Sequence, residues 1–254
     1  RYASLWKRIQ EAFVSEYVTE NGRMASNTQT AYTIALKFGL LPPGLRAQAA
    51  DRLAADVRSF DHHLTTGFLG TPYLCQVLSG NGKLDTAYNL LNQETYPSWL
   101  YPVKMGATTI WERWDGIKPD GTFQDAGMNS YNHYAYGAIG AWLYSVVAGI
   151  QPDPDEPGFK HVVISPEPGG GLTYAQAELE SMYGKIKSGW KIENGNFKMN
   201  VVIPPNTRGT ITLPSAGLDR VTVNGQPLAG QSGLNPRQDR SEEHTSELQS
   251  RQSI

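Results

Sequence analysis

The chain has 254 residues, 39% hydrophobic and 18% charged, enough to bury a sizeable core in one large or two medium domains of a soluble globular protein. Lys and Arg number 22 against 24 Asp and Glu, so the formal net charge is -2 and no basic footprint points to nucleic acid or an anionic membrane surface. No apolar run is long enough to span a bilayer, and Cys75, the single cysteine, excludes an intrachain disulfide.

Residues 2 to 20 place Leu5, Ile9, Ala12, Phe13 and Tyr17 at helical spacing, with Asn21-Gly22 as the stop. The spacing predicts a second helix over 28–37 and a third with Leu45, Ala49, Leu53 and Val57 on one face and a charged, solvated opposite face. Asp61-His62-His63 lacks the i, i+4 spacing of a metal site and has no matching ligand set, so no metal or other cofactor is expected. A fourth helix opens at Thr71 with Pro72 at its first turn and closes before Gly80-Asn81-Gly82; a fifth covers 84–92. Residues 93–107 are aromatic and broken by Pro97 and Pro102, an ordered loop of the kind that carries function. A short helix or turn follows over 108–114, then a Gly-rich loop over 115–130, then an apolar helix over 132–148. Helix pairs with no intervening strands predict an all-α layer or toroid, a part of a larger barrel, over 1–150.

At 151–158 the composition turns to Pro, Asp and Gly, and the period changes from helical to alternating, which marks a linker. Short β-type runs over 159–164, 175–181, 184–193, 196–203, 208–213 and 221–223 predict a small antiparallel β-sandwich over 159–235. Residues 236–254 are expected to be a disordered tail. From about Arg240 they resemble the conceptual translation of a sequencing-adapter oligonucleotide and are set aside, which leaves the sandwich with an unpaired edge strand. Arg1 stands inside the first helix rather than at a start Met, so further sequence is expected upstream, and no compartment is assigned.

Chemistry concentrates at Thr108-Thr109-Ile110-Trp111-Glu112-Arg113-Trp114-Asp115-Gly116, where one carboxylate sits between two indoles, downstream of Tyr96, Trp99 and Tyr101. Six Trp, thirteen Tyr and seven Phe supply amphipathic rings that suit a neutral sugar, although such rings fill cores more often. On spacing alone, a surface Glu112 among core tryptophans is the simpler reading.

Gly67-Phe68-Leu69-Gly70-Thr71-Pro72, Tyr96-Pro97-Ser98-Trp99, Gly106 to Trp114, and Ser130-Tyr131-Asn132-His133-Tyr134-Ala135-Tyr136-Gly137 together resemble the bacterial α-L-rhamnosidases of glycoside hydrolase family 78, over roughly residues 1–235. The resemblance implies an (α/α)6 barrel, here partial, followed by a C-terminal β-sandwich. It also implies release of terminal α-L-rhamnose from a glycoside or polysaccharide with inversion. Glu112 matches the family's general base and His133 its sugar-contacting histidine, with Trp99, Trp111 and Trp114 as substrate-binding candidates that stack on the sugar or wall the pocket. The family's general acid lies in a block upstream of Arg1, so this chain by itself is expected to be inactive or nearly so. Two alternatives stay open: another glycosidase or phosphorylase on the same toroid, and a non-catalytic carbohydrate-binding protein.

Overall fold

The computed structural model describes residues 1–214, 217–229, 231–238 and 245–251, and the chain divides into two compact units, Arg1–Gly140 and Ala141–Ile254. No helix among the described residues is long and apolar enough to cross a membrane.

The first unit is helical: α1 (Tyr2–Tyr17), α2 (Gln29–Lys37), α3 (Pro43–Ser59), α4 (Thr71–Ser79), α5 (Leu84–Asn92) and α6 (Leu100–Lys104). The Thr28 hydroxyl caps α2 by accepting from the Ala31 N–H, and Pro at the first turn opens α3 and α4, where its missing N–H costs nothing. Tyr32, Leu36, Leu53, Val57, Leu74, Leu78 and Leu90 form the core between α2, α3, α4 and α5. The helix expected over 2–20 ends at Tyr17, and none of its residues is buried: Leu5 and Trp6 of α1 are 45% and 48% exposed. One turn of helix, α6, interrupts the loop expected over 93–107, with the Ser98 hydroxyl accepting from the Tyr101 N–H.

The region expected to be one apolar helix from 132 is composite. A 3-10 turn (Ala135–Ala138) leads into α7 (Ile139–Trp142), which continues as a π-helical turn (Leu143–Val147). Residues 132–134 precede it as bends and coil, because the His133 N–H pairs outside the helix, with the Ile110 carbonyl.

The second unit takes in the end of that helix and the strands. A five-stranded sheet has the order β1 (Ile150–Pro152), β2 (His161–Ile164), β6 (Arg208–Pro214), β10 (Thr245–Arg251), β9 (Leu234–Gln238). A three-stranded antiparallel sheet has the order β3 (Tyr174–Ser181), β4 (Gly184–Glu193), β5 (Asn196–Val202), and a hairpin joins β7 (Thr222–Val223) to β8 (Gln226–Pro227). Ile150, Val162, Ile164, Ile186 and Ile203 make the core between the two larger sheets. Ser188 and Trp190 anchor β4 to the π-helical end: the hydroxyl donates to the Ala148 carbonyl at 2.6 Å and the indole N–H to the Val147 carbonyl at 2.7 Å.

Three features depart from the expected sandwich. The β2–β6 pair is parallel, so the larger sheet is mixed rather than antiparallel. Residues 150–152 form β1 inside the stretch where the expected helical domain gives way to its linker, and the break between units falls after Gly140. The tail expected to lack structure forms β9 and β10, and β10 pairs with β6 from Thr245↔Pro214 to Arg251↔Arg208, so the edge expected to be open is covered. Ladder bonds use only main-chain N–H and C=O groups, which every non-proline residue carries, so a segment without apolar period still pairs with an open edge. Residues 239–244 and 252–254 of that expected tail lie outside the described residues.

Candidate active site

Two segments of the helical unit run side by side and bring the candidates together. The Glu112 N–H donates to the Ser130 carbonyl at 2.8 Å, and the His133 N–H donates to the Ile110 carbonyl at 2.8 Å. The Thr109 hydroxyl donates to the Tyr131 carbonyl between them. Residues 109–112 and 130–133 therefore form an irregular antiparallel pair, which positions Glu112 and His133 although 20 residues of chain lie between them. Of the short helix or turn expected over 108–114, the structure has bends and a turn, because these N–H groups pair across the segment rather than along it.

The Glu112 carboxylate is held as well as its backbone. The Ser130 N–H donates to Oε2 at 2.8 Å, and Oε1 makes no hydrogen bond among the described residues. Glu112 is half-buried, flanked by two buried indoles. Arg113 turns away to the Met128 carbonyl at 3.2 Å and to Asp125 at 3.6 Å. Asp125 is committed elsewhere: the Gly127 and Met128 N–H groups donate to it and, with Arg113, hold its carboxyl below the usual range.

The three candidate tryptophans are all buried. Trp111, Trp114 and Trp99 are 5%, 9% and 8% exposed, leaving almost no ring face for a sugar. Trp114 stacks on Tyr136 at 3.8 Å between ring centroids and meets Trp99 edge-on at 5.6 Å, and the Trp99 indole N–H donates to the Tyr136 carbonyl at 2.9 Å. Trp111 packs edge-on against Tyr131 at 5.4 Å. These rings pack against one another beside the Glu112 segment. Rings buried this way are satisfied by one another, and a sequence does not reveal which faces other side chains occupy.

The rings left open are ones the residue-by-residue reading passed over. Phe68 is partly exposed and stacks on His133 at 4.7 Å, while His133 lies parallel to Tyr134, which is 88% exposed. Phe68 sits on a loop pinned at both ends. Gln29, fully buried, donates to the His63 carbonyl and accepts from the Thr65 N–H, and a Cβ on Gly70 would stand 2.8 Å from both Thr30 Oγ1 and Thr66 Cγ2. Tyr96 is half-exposed beside Tyr101, and burial, then Asp115, raises its phenol pKa. Tyr136 is raised by burial first, then by Tyr96 and Glu112, which places that phenol within electrostatic reach of the carboxylate. The available signal was their place in the motif blocks combined with loop position; neither states exposure.

The second loop closes under the site. Gly116 accepts from the Tyr131 hydroxyl at 2.7 Å and from the Asn129 amide at 3.1 Å, and a Cβ there would stand 3.1 Å from Trp111 and 3.2 Å from Tyr131. The Tyr101 hydroxyl donates to the Ile117 carbonyl, and Ile117 bridges to Phe123. His62 and His63 join no ligand set: His63 bonds the Phe60 carbonyl and the Thr95 hydroxyl, and no group of three or more His, Cys, Asp or Glu side chains among the described residues is arranged to hold a metal.

Glycoside hydrolysis ordinarily takes two carboxyl groups, and this unit supplies one held carboxylate on a segment paired with that of His133, whose ring lies against Phe68 and Tyr134. Residues 1–147 match the bacterial alpha-L-rhamnosidase 6 hairpin glycosidase domain, and residues 149–226 match the bacterial alpha-L-rhamnosidase C-terminal domain. The chain belongs to the bacterial α-L-rhamnosidase family. An α-L-rhamnosidase of Streptomyces avermitilis is 47% identical over 220 residues, 87% of this chain and 21% of that protein. One from Formosa agariphila is 42% identical over 235 residues, 92% of this chain and 25% of that protein. The crystal structure of Streptomyces avermitilis α-L-rhamnosidase complexed with L-rhamnose superposes with a TM-score of 0.86 at 42% identity, covering 98% of this chain and 23% of that one. Native α-L-rhamnosidase from Aspergillus terreus gives 0.81 at 38% identity, covering 85% and 25%. The chain thus spans about a fifth to a quarter of the length of these relatives.

Proposed function

We propose that this chain is the C-terminal part of an inverting glycosidase that releases terminal α-L-rhamnose, and that Glu112 is its general base. The observation that carries the proposal is the held carboxylate: Ser130 fixes Oε2, which leaves Oε1 to accept a proton, in a chain of the α-L-rhamnosidase family. In the reaction, Oε1 takes a proton from a water, whose oxygen attacks the anomeric carbon as the glycosidic C–O bond breaks on the opposite face. A general acid protonates the departing oxygen. Inversion needs the two carboxyl groups about 6.5–9.5 Å apart, with the water between the base and the sugar.

Three other carboxylates of the helical unit are already committed. Asp125 and Asp120 are occupied by local hydrogen bonds, and Glu11 pairs with Lys7 on exposed α1. We therefore place the acid on a part of the full-length enzyme outside these residues, and take the helical unit as a portion of an (α/α)6 barrel. Phe68 and Tyr134, on either side of His133, are the rings that face the sugar.

The test is release of p-nitrophenol from p-nitrophenyl α-L-rhamnopyranoside by the full-length enzyme beside its Glu112→Gln variant. A positioned base is worth on the order of 10²- to 10⁴-fold, so the variant is expected to lose that much in kcat. A loss below tenfold removes Glu112 from the role, and turnover by the 254-residue chain itself refutes an acid outside it.

A further inference from the structure

The outer face of the sheet β3–β4–β5, with Tyr144 beside it, lines an open depression of about 910 Å³, within the roughly 300–1,000 Å³ of small-molecule sites. Strand alternation sends Ile186, Ser188 and Trp190 inward, where they are buried, and the residues between them outward. Register aligns the outward residues in rows. Gln176, Gly189 and Asn200 are directly paired across the three strands, and Tyr174, Lys191 and Lys198 make the next row.

Each row contributes something different. Gly189 leaves a notch in the middle of the central strand, flanked by two amides, Gln176 and Asn200, that make no hydrogen bond among the described residues. The Tyr174 ring is 66% exposed at one end. Each of these cations already has a carboxylate partner: Lys187 pairs with Glu178 at 2.6 Å, and Lys191 and Lys198 share Glu193, at 2.5 and 2.8 Å. A charged ligand would have to displace those partners. Free amides around a notch beside an open aromatic ring suit a neutral polyhydroxyl chain, with hydroxyls on the amides and a C–H face on the tyrosine.

We propose that this face is a second carbohydrate site, separate from Glu112, that holds a neutral oligosaccharide with Tyr174 as platform and Gln176 and Asn200 as donors and acceptors. The choice of rhamnose as the probe sugar rests on the function proposed above; the site itself does not.

The experiment titrates the uniformly ¹⁵N-labelled 254-residue chain with a tetrasaccharide of α-linked L-rhamnose, and in parallel with tetragalacturonic acid as a charged counterpart. Saturable shifts of the Gln176 and Asn200 side-chain amides are expected with the neutral sugar. Tyr174→Ala and Gly189→Gln should each weaken binding at least tenfold. Gly189→Gln fills the notch without strain, since a Cβ there meets nothing nearer than Gln176 Cβ at 3.5 Å, and an otherwise unchanged amide spectrum shows that the fold survives. The saturable shifts of the Gln176 and Asn200 amides report the sheet alone, so a failure of the catalytic assignment leaves this result standing. Absence of saturable binding, binding that both sheet variants leave intact, or tighter binding of the uronate overturns the proposal.

Discussion

At the residue scale, burial decides chemistry more than residue type does. Cys75 is an ordinary thiol in sequence, but burial pushes it up to about 12 from 9.0. The unfolded chain therefore gives up that proton near pH 9 while the folded chain keeps it. Stability is fully present below pH 9 and falls by about 1.4 kcal/mol per pH unit as pH rises towards 12. The tyrosines join only above about pH 10. Urea unfolding at pH 9 to 10 is expected to show this loss in the parent chain and none of it in Cys75→Ala; equal slopes would mean that the thiol is solvated. Gly116 makes the same point sterically. Gly116→Ala drives a Cβ to 3.1–3.2 Å from Trp111 and Tyr131, and an overpacking cost of about 1–3 kcal/mol is expected in denaturant unfolding. A change within 0.5 kcal/mol would mean that these rings yield freely.

Glu112 and His133 were legible as candidates because both sit in the motif blocks that carry the family resemblance, and the structure adds that their segments pair. The state of the tryptophans was not. Trp99, Trp111 and Trp114 have the composition of a sugar platform, and only packing shows that they are buried among one another, Tyr131 and Tyr136, while Phe68 and Tyr134 stay open.

At the element scale, α4 over Thr71–Ser79, α5 over Leu84–Asn92 and β4 over Gly184–Glu193 fall where their punctuation puts them, because Pro and Gly act on the local backbone. Elements held by distant partners were harder to read. Nothing local distinguishes β10, and α1 has an apolar period although its apolar face is open to solvent in this chain. The consequence is measurable as a contrast between two leucines. Leu5→Glu on exposed α1 is expected to change stability by less than about 0.5 kcal/mol, whereas Leu53→Ala at a fully buried position on α3 should cost about 2–5 kcal/mol. A large effect at Leu5 in this chain would mean that α1 is packed in solution.

At the scale of the whole molecule, two units with separate cores share one continuous chain, and the composite helix 135–147 spans the break between them. The composition shift at 151–158 marks the expected linker, and just before it Trp190 and Ser188 bind the carbonyls of Val147 and Ala148, so the end of the helix packs with the strands. Trp190→Phe removes the indole donor and strands a buried acceptor. A cost of about 1–3 kcal/mol is expected, with faster amide exchange near residue 148. Unchanged exchange there would argue that the helix end does not depend on β4.

The amino-acid sequence by itself determined the class of each half, most element positions, the family and the two polar candidates, because helical period, alternation, turn residues and short motifs are properties of neighbours along the chain. Only the tertiary structure decided the parallel pairing of β2 with β6, the covered edge of β6, the buried faces of the tryptophans and the Ser130 N–H that holds Glu112. Each of those joins groups distant in sequence. Burial and hydrogen-bond satisfaction are set by what stands opposite a residue in space, and spacing along one chain carries no record of it.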